Sequence, residues 1–140
     1  MNLYKKEGFT LIEMLVVVAI IGILTATVLV ALGPSRDKAR DARVISGVQQ
    51  ARALAETLYD PTSPNPYQTV TESQEDIIKI KNDVESQAGT GAFAITLNAN
   101  STEYAIYGKL VSEEKYYCAD SNGITSKADN TTASECPEAQ

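Results

Sequence analysis

One carboxylate stands inside the most apolar stretch of this 140-residue chain. Glu13 follows the apolar segment Phe9–Ile12 and precedes Met14–Leu32, which is 19 residues without a charge. A charge at the centre of a membrane span costs about 2.5 kcal/mol or more, and such residues are functional by default. The chemistry open to Glu13 is therefore pairing with a cation in a low-dielectric setting. The alternative is that Glu13 lies at the level of the lipid headgroups, near enough to the helix start to reach water.

The sequence contains no set of side chains that is typical of an enzyme active site. There is no histidine, so the commonest general base and the commonest metal ligand are both missing. Neither a cysteine–histidine nucleophile pair nor a zinc site of two cysteines and two histidines can be built. No paired carboxylates, phosphate-binding loop or catalytic triad stand out. We therefore expect that the chain is not an enzyme and binds no cofactor.

The two cysteines lie near the C-terminus. Cys118 and Cys136 bracket 17 residues rich in Ser, Thr, Asn and Asp. If this region lies outside the cytoplasm, a disulfide is the default expectation, and two free thiols are the less favourable alternative. In the chain-entropy model, closing a loop of this size stabilises a fold by roughly 3 kcal/mol.

The element that must position Glu13 is a helix of membrane length. An apolar helix of about 20 residues spans a bilayer core of roughly 30 Å. A short leader, Met1–Gly8, precedes it and carries Lys5 and Lys6. The net charge is −6, of which residues 1–8 hold +1, which leaves −7 for residues 9–140. This acidic balance argues against a general nucleic-acid-binding surface, which needs clustered cations.

The stretch Gly8–Glu13 (GFTLIE), behind a basic leader and ahead of a long apolar helix, resembles the class III signal of type IV pilins and pseudopilins. The resemblance implies cleavage between Gly8 and Phe9 by a prepilin peptidase, and N-methylation of the new terminus at Phe9. It implies that Glu13 neutralises the N-terminal amine of a neighbouring subunit during assembly. The implied partners are further pilin subunits, the peptidase, an inner-membrane assembly platform and, before assembly, membrane lipid.

Four cations follow the apolar segment. This basic cluster consists of Arg36, Lys38, Arg40 and Arg43. Counting positive charges would place it in the cytoplasm. The resemblance implies the reverse: a cytoplasmic leader and an outer head, first on a single-pass membrane protein and then on an extracellular or periplasmic filament. The basic cluster would then meet lipid headgroups, acidic neighbours in a filament, or solvent.

Beyond the membrane segment, the pattern predicts an α+β head. Gly33-Pro34 predicts a kink or break. Residues 35–59 then predict a helix, because apolar residues recur at spacings of three and four. The stripe consists of Val44, Val48, Ala51, Ala55 and Leu58. Three prolines end this helix, and residues 71–87 predict a short helix capped by Thr71 or Ser73.

The rest of the chain changes to a strand pattern. Phe93–Asn98, Glu103–Val111 and Lys115–Ala119 predict an antiparallel meander. With the resemblance, this gives a long N-terminal helix packed on a small three- to four-stranded antiparallel sheet. The expected organisation is a leader at 1–8, an apolar helix at 9–34 and a head at 35–140. Within the head we expect a helix at 35–59, a loop and short helix at 60–91, and the sheet and disulfide-bounded tail at 92–140.

The resemblance also implies a possible calcium site, because some pseudopilins bind calcium in a C-terminal loop. Weak candidate ligands are Asp120, Asn122 and Asp129, whose oxygens suit calcium. Their spacing matches no fixed calcium motif, and a turn in which they bond their own backbone is the favoured interpretation. We therefore expect no metal site.

The sequence favours a structural subunit of a type IV pilus or pilus-like filament that polymerises through its N-terminal helix. One alternative within the family is a pseudopilin of a type II secretion or competence system. An alternative from another class is a single-pass, membrane-anchored binding protein that never polymerises. That third hypothesis accounts for the apolar segment but not for Glu13 or the Gly8–Phe9 junction.

Overall fold

The computed structural model describes residues 8–138. The chain divides into two compact units, with the boundary between Ser35 and Arg36. Apart from Gly8, the expected leader lies outside the described residues, as do the last two residues of the expected tail.

Helix α1 covers Leu11–Thr57, 47 residues. It runs through Pro34, so the predicted break at Gly33-Pro34 is wrong. A proline removes one main-chain hydrogen bond, here to Val30, and the helix formers on both sides keep the helical conformation.

The first unit exposes its apolar surface. Every residue from 8 to 35 is exposed. Within residues 8–138, α1 is the one helix long and apolar enough to cross a membrane, and none of its most apolar window is buried. Contiguous apolar surface of this size marks a region that is covered by lipid or by another protein.

The second unit is built on a four-stranded antiparallel sheet in the order β1-β2-β3-β4. The strands are Phe93–Leu97, Tyr104–Lys109, Tyr116–Asp120 and Thr125–Ala128. The three predicted strands are confirmed within one or two residues at each end. The fourth, β4, pairs with β3 inside the region bounded by the cysteines, with Cys118 opposite Ser126.

The main core lies between the second half of α1 and one face of the sheet. The helical stripe predicted from the sequence supplies its buried side chains Val44, Val48, Ala51 and Ala55. From β2, Tyr104 and Ile106 pack against them. The predicted α+β fold, a long N-terminal helix packed on a small antiparallel sheet, is therefore confirmed.

Helix α2, Glu75–Ala88, adds Ile77 and Val84 to the same core. Its N-cap residue is Gln74, which makes no side-chain capping bond, so the predicted cap at Thr71 or Ser73 is wrong. The helix ends at Gly89, close to the predicted end at residue 87, and the φ of 97° at Gly89 is accessible to a glycine without strain.

The opposite face of the sheet is also covered. Ala105 and Tyr107 of β2 form a second cluster with Cys118, Ala128 and Cys136. The C-terminal tail that carries Cys136 thus packs on the outer face of the sheet. For this reason β2 is buried on both faces.

Candidate assembly site

The start of α1 places the Glu13 side chain against Thr10. Glu13 Oε2 accepts hydrogen bonds from Thr10 N at 2.8 Å and from Thr10 Oγ1 at 2.6 Å. In return, Glu13 N lies 3.3 Å from Thr10 Oγ1. This reciprocal arrangement is a capping box, in which two main-chain N–H groups at the helix start obtain side-chain acceptors. The signal for it, a threonine followed three residues later by glutamate, is present in the sequence and had been missed.

The capping box does not neutralise Glu13. Within residues 8–138, the hydrogen bonds that the Glu13 carboxylate accepts both come from Thr10, and Glu13 forms no salt bridge. A carboxylate in a low-dielectric setting is stabilised most by an opposite charge in direct contact. The arrangement therefore leaves Glu13 able to receive a cation from outside the described chain.

Gly8 and Phe9 precede the helix in non-helical backbone. Both are exposed, and 77% of the Phe9 surface is accessible. An exposed, non-helical peptide bond is one that a peptidase can bind in an extended form.

The cysteines form the expected disulfide. Cys118 on β3 and Cys136 in the tail are joined, with their Cα atoms 5.7 Å apart. The tail has two further attachments to the sheet. Tyr107 Oη donates to the carbonyl of Ala133 at 2.8 Å, and Thr96 Oγ1 donates to the carbonyl of Thr131 at 2.6 Å.

The three candidate calcium ligands are used differently by the fold. Asp120 is fully buried, and its two oxygens accept from the main-chain N–H groups of Ile124 at 2.8 Å and Cys136 at 3.0 Å. Asp129 is exposed and lies 3.7 Å from Lys115, and Asn122 is exposed in the β3–β4 turn. In the described range, no three His, Cys, Asp or Glu side chains group together as a metal site would require.

A buried aspartate on α1 holds the β2–β3 loop. Asp41 accepts hydrogen bonds from Val111 N at 2.5 Å and from both the main-chain N–H and the hydroxyl of Ser112. Sequence analysis had not singled out Asp41, because its role depends on residues 70 positions away.

Two tyrosines donate hydrogen bonds to the same carboxylate, near the C-terminal end of α1. Glu56 accepts from Tyr104 Oη at 2.5 Å and from Tyr67 Oη at 3.2 Å. Burial and, after it, the Glu56 charge raise the pKa of Tyr67 to about 12. Burial, followed by the hydrogen bond to Glu56, also raises the pKa of Tyr104. This cluster ties the end of α1 to the sheet and to the loop that follows α1.

Comparison with known proteins gives two matches. Residues 3–29 match the model of the prokaryotic N-terminal methylation motif. Fimbrial protein Q of Moraxella bovis is 34% identical over 73 residues, which is 51% of this chain and 46% of that protein. The chain thus aligns with about half the length of this relative. No solved structure matches.

The two matches are consistent with the structure of α1 and of the head. The methylation motif covers the capping box and most of the exposed apolar half of α1. The fold is a long N-terminal helix packed on an antiparallel sheet and closed by a C-terminal disulfide. The chain thus carries the prokaryotic N-terminal methylation motif and is similar over about half its length to a fimbrial protein.

Proposed function

We propose that this chain is a structural subunit of a type IV pilus or pilus-like filament, made as a membrane-anchored precursor. A prepilin peptidase cuts between Gly8 and Phe9 and methylates Phe9, and the mature subunit polymerises through the apolar half of α1. Glu13 pairs with the N-terminal amine of a neighbouring subunit. The head, residues 35–140, coats the outside of the filament.

The observation that carries the proposal is the complete exposure of the apolar half of α1. Residues 11–32 are exposed along their whole length, and the head has a closed core of its own. Exposed apolar surface on this scale requires lipid or other subunits to cover it. A membrane-resident monomer that moves into a filament core meets this requirement in both states.

The chemistry of Glu13 supports an assembly role. Among residues 8–138, the Glu13 carboxylate accepts hydrogen bonds from Thr10 and pairs with no cation. Cleavage after Gly8 would create an N-terminal amine at Phe9. The same amine on a neighbouring subunit would be a cation that matches the Glu13 carboxylate in size. Pairing the two charges in a low dielectric favours the assembled state over an unpaired one.

Among members of the family, a pilus subunit is favoured over a secretion pseudopilin. The relative that matches about half of the chain is named a fimbrial protein. Family members are structural proteins, which agrees with the absence of a catalytic set in the sequence. The hypothesis of an anchored binding protein that does not polymerise would not explain the capping box or the methylation motif.

The N-terminal mass of the protein purified from its own cells tests the processing step. We expect a chain that begins at Phe9 and carries one additional methyl group. A chain that still begins at Met1 in cells containing a prepilin peptidase would contradict the proposal and favour the anchored binding protein.

Substitution of Glu13 tests the assembly step. Glu13→Gln keeps the size of the side chain and removes its charge, so we expect membrane insertion to persist while filaments are lost. Ile12→Ala is the matched control, because it removes apolar contacts next to Glu13 and leaves the carboxylate intact. Normal filaments from Glu13→Gln would rule out the charge-pairing role.

A further inference from the structure

Positive charge in the head is concentrated at its N-terminal end. Residues 36–43 hold the four cations of the basic cluster and two aspartates, which gives a net charge of +2. Residues 44–140 hold six cations and 14 acids, which gives −8. Arg36, Arg40 and Arg43 follow one another at i, i+4 and i+7, so they share one helix face. Like charges at this spacing repel each other, which favours an anionic partner.

The fold removes one of the two aspartates from this surface. By spacing alone, Asp41 could pair with Lys38, three residues earlier. Its carboxylate is instead buried and bound to Val111 and Ser112 of the β2–β3 loop. The exposed surface of residues 36–43 therefore carries four cations and only Asp37 as an anion.

The ion pairs that remain in the basic cluster are weak. Arg40 lies 4.0 Å from Asp37, and Arg43 lies 3.5 Å from Asp83. All four side chains in these pairs are 42–64% exposed, so water and salt screen them. Arg36 forms no salt bridge within the described part of the chain. The guanidinium groups thus keep donors available for another partner.

The place of the basic cluster in the chain indicates which partner this is. The uncharged segment ends at Leu32, and Arg36, Lys38 and Arg40 follow it within about two helical turns. Where an apolar span of this length ends, the next turns of a chain lie at the depth of the lipid headgroups. The densest anion at that depth is the lipid phosphate, which arginine binds through two parallel hydrogen bonds.

We propose that Arg36, Lys38 and Arg40 bind the phosphate groups of anionic phospholipids in the leaflet on the head's side of the membrane, before the subunit assembles. This inference rests on the proposed function, because it requires the apolar half of α1 to reside in a bilayer. It adds a lipid class: the unassembled subunit gathers phosphatidylglycerol around itself in preference to a zwitterionic lipid.

The test measures the lipids that surround the full chain. The protein is reconstituted in vesicles of phosphatidylcholine with a minor fraction of phosphatidylglycerol, then extracted with its neighbouring lipids in polymer-bounded particles. Mass spectrometry gives the ratio of the two lipids per protein. The variant is Arg36→Gln, Lys38→Gln, Arg40→Gln. The matched control, Lys79→Gln, Lys115→Gln, Lys127→Gln, removes three equally exposed charges elsewhere on the head.

We expect phosphatidylglycerol to be enriched around the unsubstituted chain and around the control, and the enrichment to fall at least about twofold in the variant. The enrichment of the unsubstituted chain should also decline as salt is raised. Equal phosphatidylglycerol enrichment around the variant and the control would contradict the lipid contact but would not contradict filament assembly. Equal enrichment together with lost filaments would instead assign the basic cluster to a neighbouring subunit. Absence of protein from the particles would overturn the membrane residence on which both proposals rest.

Discussion

The carboxylate of Asp120 accepts a hydrogen bond from the main-chain N–H of Cys136 at 3.0 Å, beside the disulfide that joins Cys136 to Cys118. One residue of the tail is therefore attached to the sheet by a covalent bond and by a charge-assisted hydrogen bond. Because Asp120 is fully buried, its negative charge is stabilised only by the groups around it. The tail and the buried carboxylate thus depend on each other.

Replacing Asp120 by Ala should lower the free energy of unfolding by about 1–3 kcal/mol, because the N–H groups of Ile124 and Cys136 lose their acceptor inside the fold. Urea denaturation of the full chain in detergent micelles measures the loss. Asp129→Ala is the control, since this carboxylate is exposed and its contact with Lys115 is long. We expect the control to change stability by less than about 0.5 kcal/mol. Equal losses in the two variants would contradict the anchoring role of Asp120.

Removing divalent metal should leave the melting temperature of the head unchanged. Asp120 is buried and both of its oxygens accept from main-chain N–H groups, so calcium would have to compete with these hydrogen bonds for the carboxylate. Differential scanning calorimetry with and without a chelator provides the measurement. A melting temperature that falls with chelator and recovers with added calcium would show that the loop binds the ion.

Gly108→Ala should destabilise the head by about 1–3 kcal/mol through overpacking. A Cβ atom at this position would lie 2.6 Å from Val44 Cγ1 and 2.7 Å from Val48 Cγ2, so the helix and the sheet would have to separate. Thermal unfolding followed by near-ultraviolet circular dichroism reports the change.

Gly22→Ala is the matched control for Gly108→Ala. It adds the same methyl group where no heavy atom lies within 4 Å. The melting temperature of the head should stay the same, because Gly22 belongs to the other unit. Comparable destabilisation by both substitutions would mean that close packing at β2 is not the cause.

The head should lose stability in alkali above about pH 10, the ordinary pKa of tyrosine. Burial and the Glu56 charge raise the pKa of Tyr67 to about 12, so the folded state holds its proton while the unfolded state releases it. Stability from this group is complete below the unfolded pKa and is lost as the pH rises toward the folded value. Tyr67→Phe should make the decline shallower than in the unsubstituted chain. Unfolding midpoints in urea across the alkaline range test this, and an identical decline in the variant and the unsubstituted chain would contradict it.

Thr10→Val should loosen the first turn of α1. The substitution keeps the shape of the side chain and removes the hydroxyl that bonds both Glu13 N and Glu13 Oε2. Loss of such a cap costs about 1 kcal/mol, which corresponds to roughly fivefold faster amide exchange at the helix start. Hydrogen exchange of the full chain in micelles measures it, and Thr10→Ser should retain protection. Equal exchange in the two variants would show that the hydroxyl does not cap the helix.

The elements with strong local patterns were predictable from the sequence. The stripe at Val44, Val48, Ala51 and Ala55 indicated both a helix and its buried face, since spacings of three and four place side chains on one side. The strands were recognisable by their β-branched and aromatic residues. The motif at Gly8–Glu13 was recognisable as part of an N-terminal methylation signal, because it depends on residue types in a short stretch.

Other features depend on residues far apart in the chain. β4 is short and polar, and its strand conformation follows from pairing with β3 and from the disulfide that closes the region. The helix passes through Pro34 although a break was predicted, because one missing hydrogen bond does not outweigh good helix formers on both sides.

Local information therefore specified the membrane-length helix, the methylation motif, the stripe that packs on the sheet and the placement of three strands. The partners of the buried polar groups needed the three-dimensional arrangement. Asp41 and Asp120 have unremarkable sequence neighbours, and their roles come from N–H groups up to 71 residues away. The physical reason is that a buried carboxylate must be satisfied by whichever donors the fold brings to it, and those donors are defined only once the helix, sheet and tail have packed together.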